Sequence, residues 1–403
     1  MPTIKKSFAT AVASVAFSGL LPSLHVQAHE NGKTSAVLPL KAAYYGNTFN
    51  AEVTLGDQSF ELLVDTGSAD LWVLGDDWEC IRKGADAREG CDFGTETYSP
   101  SSTYKPVDYA WLGEHYGNGD VIGPLGRETM RLGDITIPNQ IFGVINSSTT
   151  VGDRVNTGIM GLGHPILAQA HPNSYHATSG AELLVNRIAY NTVFWHMIDR
   201  GVEPYYALAL DRGSLGQETG KGGYLSFGTL SPVDHGPFIT VPNEVTKAIP
   251  RSFTDGKRKI SFWTVTVQSV SWDDKTGSKP FQAIIDSGNW ANVLPPKLAS
   301  RINAAFEPPG KLDKKSGYFK VDCDATPPAD VKFEIGNQKF SINSADMIWR
   351  DWDGSCYSTV EGAETSLGVD IAFLGVAFLK NVVSVFDVGN EEIRLAARTE
   401  ECP

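Results

Sequence analysis

Two short triplets constrain this chain more than any other feature. Asp65-Thr66-Gly67 closes the apolar run Leu62-Leu63-Val64, and Asp286-Ser287-Gly288 closes Ala283-Ile284-Ile285. At average composition, 403 residues yield about 0.2 Asp-Ser/Thr-Gly triplets by chance. Here there are two, one in each half, each at the end of a strand-like run. Each is followed later by a second signature, Gly158-Ile159-Met160-Gly161 in the first half and Ala372-Phe373-Leu374-Gly375 in the second. A two-part signature repeated in order predicts an internal duplication: two lobes, each bringing one carboxylate to a shared cleft. Two carboxyls held close cannot both ionise cheaply, so they share a proton. One serves as base and the other as acid, which can activate water without a metal.

The remaining pattern predicts an all-β fold with a few short helices. A chain of 403 residues exceeds one compact core and suffices for two lobes. Residues 48–55 and 60–64 read as strands around a Gly56-Asp57 turn. Residues 263–272 alternate as Thr-Val-Thr-Val-Gln-Ser-Val-Ser between two tryptophans, and the polar turn Asp273–Gly277 follows. Helices are expected over 182–188, 193–199 and 296–306. The 40 glycines and 22 prolines are spread along the chain, as many turns require. The stretch 205–237, with the runs 206–210 and 223–227, reads as a sheet between the lobes. The expected organisation is a signal peptide at 1–28, a short N-terminal segment at 29–37, an N-terminal lobe at 38–204, the inter-lobe sheet and connection at 205–237, and a C-terminal lobe at 238–403.

Charge and cysteines narrow the function classes. The net charge of −13 argues against a nucleic-acid partner, which needs a basic face. Lys5 and Lys6, an apolar stretch from Phe8 to about Leu24, and the small-residue site Val26-Gln27-Ala28 predict a cleaved secretory signal. Ser14, Ser18, Gly19 and Pro22 break that stretch and disfavour a membrane anchor. Secretion permits disulfides among Cys80, Cys91, Cys323, Cys356 and Cys402, but spacing alone leaves several pairings open. Neither C-x-x-C nor H-E-x-x-H occurs, so no metal site is expected. No G-x-S-x-G elbow supports a serine hydrolase, and Gly117-x-Gly119 lacks the rest of a nucleotide-binding loop. Asn146-Ser147-Ser148 is the single N-x-S/T sequon and a glycosylation candidate.

Over nearly the whole expected mature chain, the sequence resembles the pepsin-like aspartic proteases, especially secreted fungal members. The resemblance rests on Asp65-Thr66-Gly67-Ser68-Ala69-Asp70-Leu71-Trp72-Val73, Tyr116-Gly117-Asn118-Gly119, Asn139-Gln140-Ile141-Phe142-Gly143, Gly158–Leu162, Phe378–Asn381 and Val385-Phe386-Asp387, in family order. It implies a bilobal fold of two pseudo-twofold-related β lobes and an endopeptidase acting at acidic pH. Asp65 and Asp286 would be the catalytic dyad. Thr66 and Ser287 would bond across the lobe interface, Gly67 and Gly288 would let the loops approach, and Ser68 would donate to Asp65. Tyr116 would be the flap aromatic, supported by Trp72, with Gly117 and Asn118 offering N–H groups to an extended peptide in the cleft. The resemblance supports the pairs Cys80–Cys91 and Cys323–Cys356, leaving Cys402 outside both. It calls for no cofactor, no nucleic acid and no membrane after signal cleavage, and for an extracellular monomer. His115, beside Tyr116 on the same strand, should face away from the cleft because strand neighbours alternate.

Four departures stand out. Asn289 replaces the small residue usual after the second triplet, and its amide is expected to donate to Asp286. Trp290 is larger than usual and should narrow a subsite. Val376 stands where an acidic residue is common. Only a short segment separates the expected signal from the first strand, so a long inhibitory pro-segment is not expected. These departures motivate a second reading: a non-proteolytic homologue, either a binding protein or an acid–base catalyst acting on a small metabolite.

Overall fold

The computed structural model describes residues 34–82, 90–172, 186–212, 216–254, 256–314, 316–363 and 371–399. The expected signal peptide, the start of the 29–37 segment, Cys402 and the first residues of the 182–188 helix lie outside them.

The fold is mainly β and bilobal. Twelve strands run through the first part of the chain: β1 (Ala36–Ala43), β2 (Thr48–Leu55), β3 (Gln58–Asp65), β4 (Leu71–Cys80), β5 (Lys105–Tyr116), β6 (Gly119–Leu132), β7 (Ile135–Ser148), β8 (Gly158–Gly161), β9 (Ala170–Pro172), β10 (Tyr205–Leu210), β11 (Gly220–Phe227) and β12 (Ile239–Pro242). With Val382–Asp387 and Glu392–Ala397 they form one 14-stranded sheet. A sheet of eight strands contains β13 (Thr264–Trp272), β14 (Lys275–Thr276), β15 (Phe281–Ile285) and β16 (Asn292–Leu294), and a four-stranded sheet lies beside it.

Between the lobes, β1 pairs with β11, β11 with β10, and β10 with Val382–Asp387. The expected 205–237 stretch therefore supplies two strands of this central sheet, and both ends of the described chain supply others. Its inner positions are filled by Tyr206, Leu208, Leu225, Phe227 and Phe386, all buried.

Local sequence explains the elements that hold the site. The β2–β3 hairpin turns at Gly56-Asp57, where Leu55 faces Gln58 and Gly56 has φ +64°. In β13, Val265 and Val267 are buried, but the next buried valine is Val270. A register shift between Val267 and Ser269 explains this, because one extra residue returns the later positions to the inner face. Helices form at Val193–Ile198 and Pro296–Asn303; the second buries Leu298, Ala299 and Ile302 along one stripe. The helix expected at 182–188 does not form over its described end. Ile188 is extended and bridges to Ala170, and Asn186 has φ +54°. Tertiary pairing overrides a weak helical pattern there.

The repeated signature has a direct structural meaning. In the first lobe β3 runs parallel to β8, with Val64 beside Met160 and Asp65 beside Gly161. In the second lobe β15 runs parallel to Ala372–Leu374, with Ile284 beside Phe373 and Ile285 beside Leu374. Each triplet leaves the end of a strand that is covered on both faces, which is why Leu62 to Val64 and Ala283 to Ile285 are apolar without alternation.

Candidate active site

The two triplets meet at the lobe interface in reciprocal arrangements. The Thr66 hydroxyl donates to the Ile285 carbonyl (2.9 Å) and accepts from the Ser287 N–H (2.9 Å). The Ser287 hydroxyl donates to the Val64 carbonyl (2.7 Å) and accepts from the Thr66 N–H (3.1 Å). Both hydroxyl residues are fully or almost fully buried. Four bonds thus tie two loops that are far apart in sequence and hold the two Asp residues at one place.

The glycines allow the loops to come this close. A Cβ on Gly67 would lie 2.5 Å from Asp286 Oδ1, and a Cβ on Gly288 would lie 2.5 Å from Asp65 Oδ1. No side chain fits at either position. Each glycine also donates its N–H to the carboxylate of its own triplet, Gly67 to Asp65 Oδ1 (2.8 Å) and Gly288 to Asp286 Oδ1 (2.9 Å).

The carboxyls are chemically unequal. Asp65 also accepts from the Ser68 hydroxyl at Oδ2 (2.6 Å), so both of its oxygens have donors. Asp286 has no matching hydroxyl after its glycine. Burial at the lobe interface, followed by the charge and hydrogen bond of the facing Asp65, raises its pKa well above the usual carboxylate range. The backbone N–H groups of Gly288 and Asn289 only partly oppose this. The pair therefore favours one shared proton, held on the Asp286 side.

The second loop differs from expectation at Asn289. Its amide oxygen accepts from the Ala291 N–H (3.0 Å), so the side chain folds onto its own loop, and Asn289 supports Asp286 through its backbone. Val376 is buried and donates its N–H to the Asn289 carbonyl (2.8 Å), while Ala377 reaches the Trp290 carbonyl (3.2 Å). The first turn of the short helix Val376–Leu379 thus braces the loop that carries Asp286, a use of its N–H groups that does not depend on an acidic side chain at Val376. The Trp290 ring is half-buried and packs on Trp349 (centroids 4.1 Å) and Tyr318 (5.4 Å).

Over the dyad stands the β5–β6 hairpin, with Gly117 and Asn118 as its exposed two-residue tip. Trp72, fully buried, donates its indole N–H to the Tyr116 hydroxyl (2.7 Å). The Thr150 hydroxyl is hydrogen-bonded to the Asn118 amide oxygen and anchors the tip to the body. His115 turns to the opposite face of β5 and meets Asp120 across the hairpin (2.5 Å).

The disulfides are Cys80–Cys91 and Cys323–Cys356, in agreement with the expected pairing. Asn146 is exposed on β7. Among the described residues no group of three or more His, Cys, Asp or Glu side chains could hold a metal ion, and no helix is long and apolar enough to cross a membrane.

One constellation beneath the flap was not anticipated. Asp70 and Glu114, both buried, bring their carboxyls together, and Glu114 also meets the Tyr116 hydroxyl. A signal existed: Glu114 lies two residues before Tyr116 and so shares its strand face. The partner, Asp70, is not visible from spacing.

The site is thus a pair of facing carboxyls at the lobe interface with a hairpin beside them. Residues 48–398 match the family model described as eukaryotic aspartyl protease. The chain is 34% identical over 369 residues to a probable aspartic-type endopeptidase of Aspergillus fumigatus, covering 87% of this chain and 79% of that one. It is 27% identical over 394 residues to vacuolar protease A of the same fungus, covering 94% and 87%. The crystal structure of an aspartic proteinase from Irpex lacteus superposes with a TM-score of 0.69 at 21% identity, covering 91% of this chain and 98% of that one. This chain belongs to the eukaryotic aspartyl protease family, the pepsin-like aspartic-type endopeptidases.

Proposed function

We propose that this chain is a secreted endopeptidase that hydrolyses peptide bonds at acidic pH, with Asp65 and Asp286 as its catalytic pair. The observation that carries the reading is the inequality of the two carboxyls: Asp65 has donors for both oxygens, while Asp286 lacks a hydroxyl donor and is pushed to a raised pKa by burial and the facing Asp65.

In this reading a water sits between the carboxyls. Asp65 removes one of its protons as the water oxygen attacks the peptide carbonyl carbon, and Asp286 gives its proton to the carbonyl oxygen. The neutral diol that results collapses as a proton passes to the amide nitrogen, the C–N bond breaks, and the carboxyls return to sharing one proton. Thr66, Ser287, Gly67, Gly288 and Ser68 keep the pair in place. Asn289 contributes through its backbone. Tyr116, held by Trp72, closes over the substrate and excludes water. Gly117 and Asn118 bond the backbone of an extended peptide, and Trp290 narrows a neighbouring subsite. The N-terminal lobe (38–204) and C-terminal lobe (238–403) flank the cleft, with 205–237 between them. Export through the signal peptide, a glycan on Asn146 and a monomeric state complete the proposal.

The test is purified protein incubated with denatured haemoglobin and a peptide library from acidic to neutral pH, with and without a statine-type inhibitor, beside Asp65→Asn. Acid-dependent cleavage that the inhibitor and the substitution both abolish is the expected result. Cleavage that survives Asp65→Asn would overturn the mechanism.

A further inference from the structure

We infer that Glu114 is a positioning residue for the flap: it shares a proton with Asp70 and, through that proton, holds Tyr116 in its closed place, so that flap closure is itself gated by acid. The inference rests on the endopeptidase reading for its kinetic consequence but not for the acid pair.

Glu114 stands between the Tyr116 hydroxyl and the Asp70 carboxyl. Trp72 donates to the Tyr116 hydroxyl (2.7 Å), which leaves the hydroxyl proton free for Glu114. Glu114 meets Asp70. Asp70 is already served at both oxygens, by the Gln169 N–H at Oδ2 (2.9 Å) and the Tyr190 hydroxyl at Oδ1 (2.5 Å). Asp70 is therefore built to carry charge. Glu114 is 3% exposed, and its Oε2 has no hydrogen-bond partner. A buried carboxylate oxygen without a donor is costly, whereas a carboxylic acid that donates to Asp70 and accepts from Tyr116 is satisfied. The proton thus belongs on Glu114.

The surrounding charges point the same way. Burial, then Asp70, then Asp65 at the end of β3 raise the Glu114 pKa well above the ordinary value, and the Tyr116 hydrogen bond opposes them. Burial also raises the Asp70 pKa, opposed by Tyr190, Glu114, the Gln169 N–H and the charge of Arg187. Tyr190 feels both acids. On β9, His171 meets the Gly113 carbonyl beside Glu114 (3.1 Å). Arg187 is spent on the carbonyls of Ile166, Ala168 and Phe253. When pH rises through the raised Glu114 pKa, two buried anions face each other with Asp65 nearby. Glu114 must then leave, and Tyr116 loses the acceptor for its hydroxyl.

The sign is fixed. A carboxyl whose folded pKa is raised stabilises the folded state most below its unfolded value, near 4, and that contribution fades as pH rises through the folded pKa. Glu114→Gln keeps the acceptor for Tyr116, donates to Asp70 and cannot ionise. Its kcat/KM profile should extend to higher pH by about one unit, because buried like charges separate carboxyl pKa values by at least that much. The fall in Tm between pH 4 and pH 7 should also shrink. Glu114→Leu, which removes the acceptor, should lower kcat/KM further than Glu114→Gln at every pH. Asp70→Asn is the second variant and should flatten the Tm–pH curve in the same direction. Profiles and Tm–pH curves that superpose on the parent would overturn the inference. A flattened Tm curve with an unmoved kcat/KM profile would overturn the flap role. A parent chain that cleaves no peptide defeats the endopeptidase reading, and the Tm curves still decide the acid pair.

Discussion

Ser287→Ala removes one of the two hydroxyls that tie the catalytic loops together. Its oxygen serves two buried backbone groups in the other lobe, the Val64 carbonyl and the Thr66 N–H. Each buried group left without a partner costs about 1–3 kcal/mol, so the loss of two should destabilise the fold by about 2–6 kcal/mol. Thr66→Val keeps the shape, removes the partner of the Ile285 carbonyl and the Ser287 N–H, and should cost a similar amount. Against a typical total of about 5–15 kcal/mol, either loss is large. The two hydroxyls share no partner, so with rigid loops their effects would add. Loops that relax after the first loss make the second cheaper, and the double variant should fall short of additivity by about 0.5–3 kcal/mol. Urea unfolding of the four proteins of this cycle, at a pH where the chain does not digest itself, measures each value. Single losses below about 0.5 kcal/mol would show that water replaces the hydroxyls and that the ring does not hold the lobes in register.

Further outcomes follow from the same site. Asp286→Asn should lower kcat by at least about a hundredfold and, because the raised Asp286 pKa weakens the parent as pH climbs from about 4, should make the fall in Tm toward neutral pH shallower; an unchanged slope would contradict the assignment of the proton. Trp290→Ala opens the packing with Trp349 and Tyr318 and should broaden the side chains accepted in a peptide-library digest; an unchanged profile would place the ring outside the substrate path. Replacing Cys323 and Cys356 by serine frees a loop of sequence separation 33 and should cost about 3–4 kcal/mol by loop entropy, read from the shift in the urea midpoint.

How far the site can be read from the residues alone follows from the range of its contacts. Asp65 and Asp286 were legible because each sits at a fixed offset from an apolar run, and the later Gly161 and Gly375 mark the strand that runs beside it. The β13 strand was legible by alternation, and the shift at Val267–Ser269 shows in the sequence only as a three-residue step from Val267 to Val270. Trp72 and Tyr116 needed the family resemblance, because their hydrogen bond joins β4 to the flap. The bond from the Ala291 N–H to the Asn289 amide oxygen is a local turn contact with no periodic signature. The Asp70–Glu114 contact and the packing of Trp290 on Trp349 depend on tertiary placement and have no periodic signature. The 182–188 pattern failed where Ile188 found a strand partner in Ala170.

The sheet between the lobes also sets the order of events during synthesis. Ala36 pairs with Phe227, and Tyr205 pairs with Asp387, so β1 and β10 wait for partners made much later. Non-local pairing of this kind delays folding, because loop closure must precede the contacts that reward it. The strand that completes β10 lies close to the end of the chain, and the loop bearing Asp286 is braced by Val376 just before it. The first lobe can therefore form its own hairpins on the ribosome while the second carboxyl still lacks its support. The brace on the Asp286 loop is thus supplied only after the hairpins of the first lobe have been made.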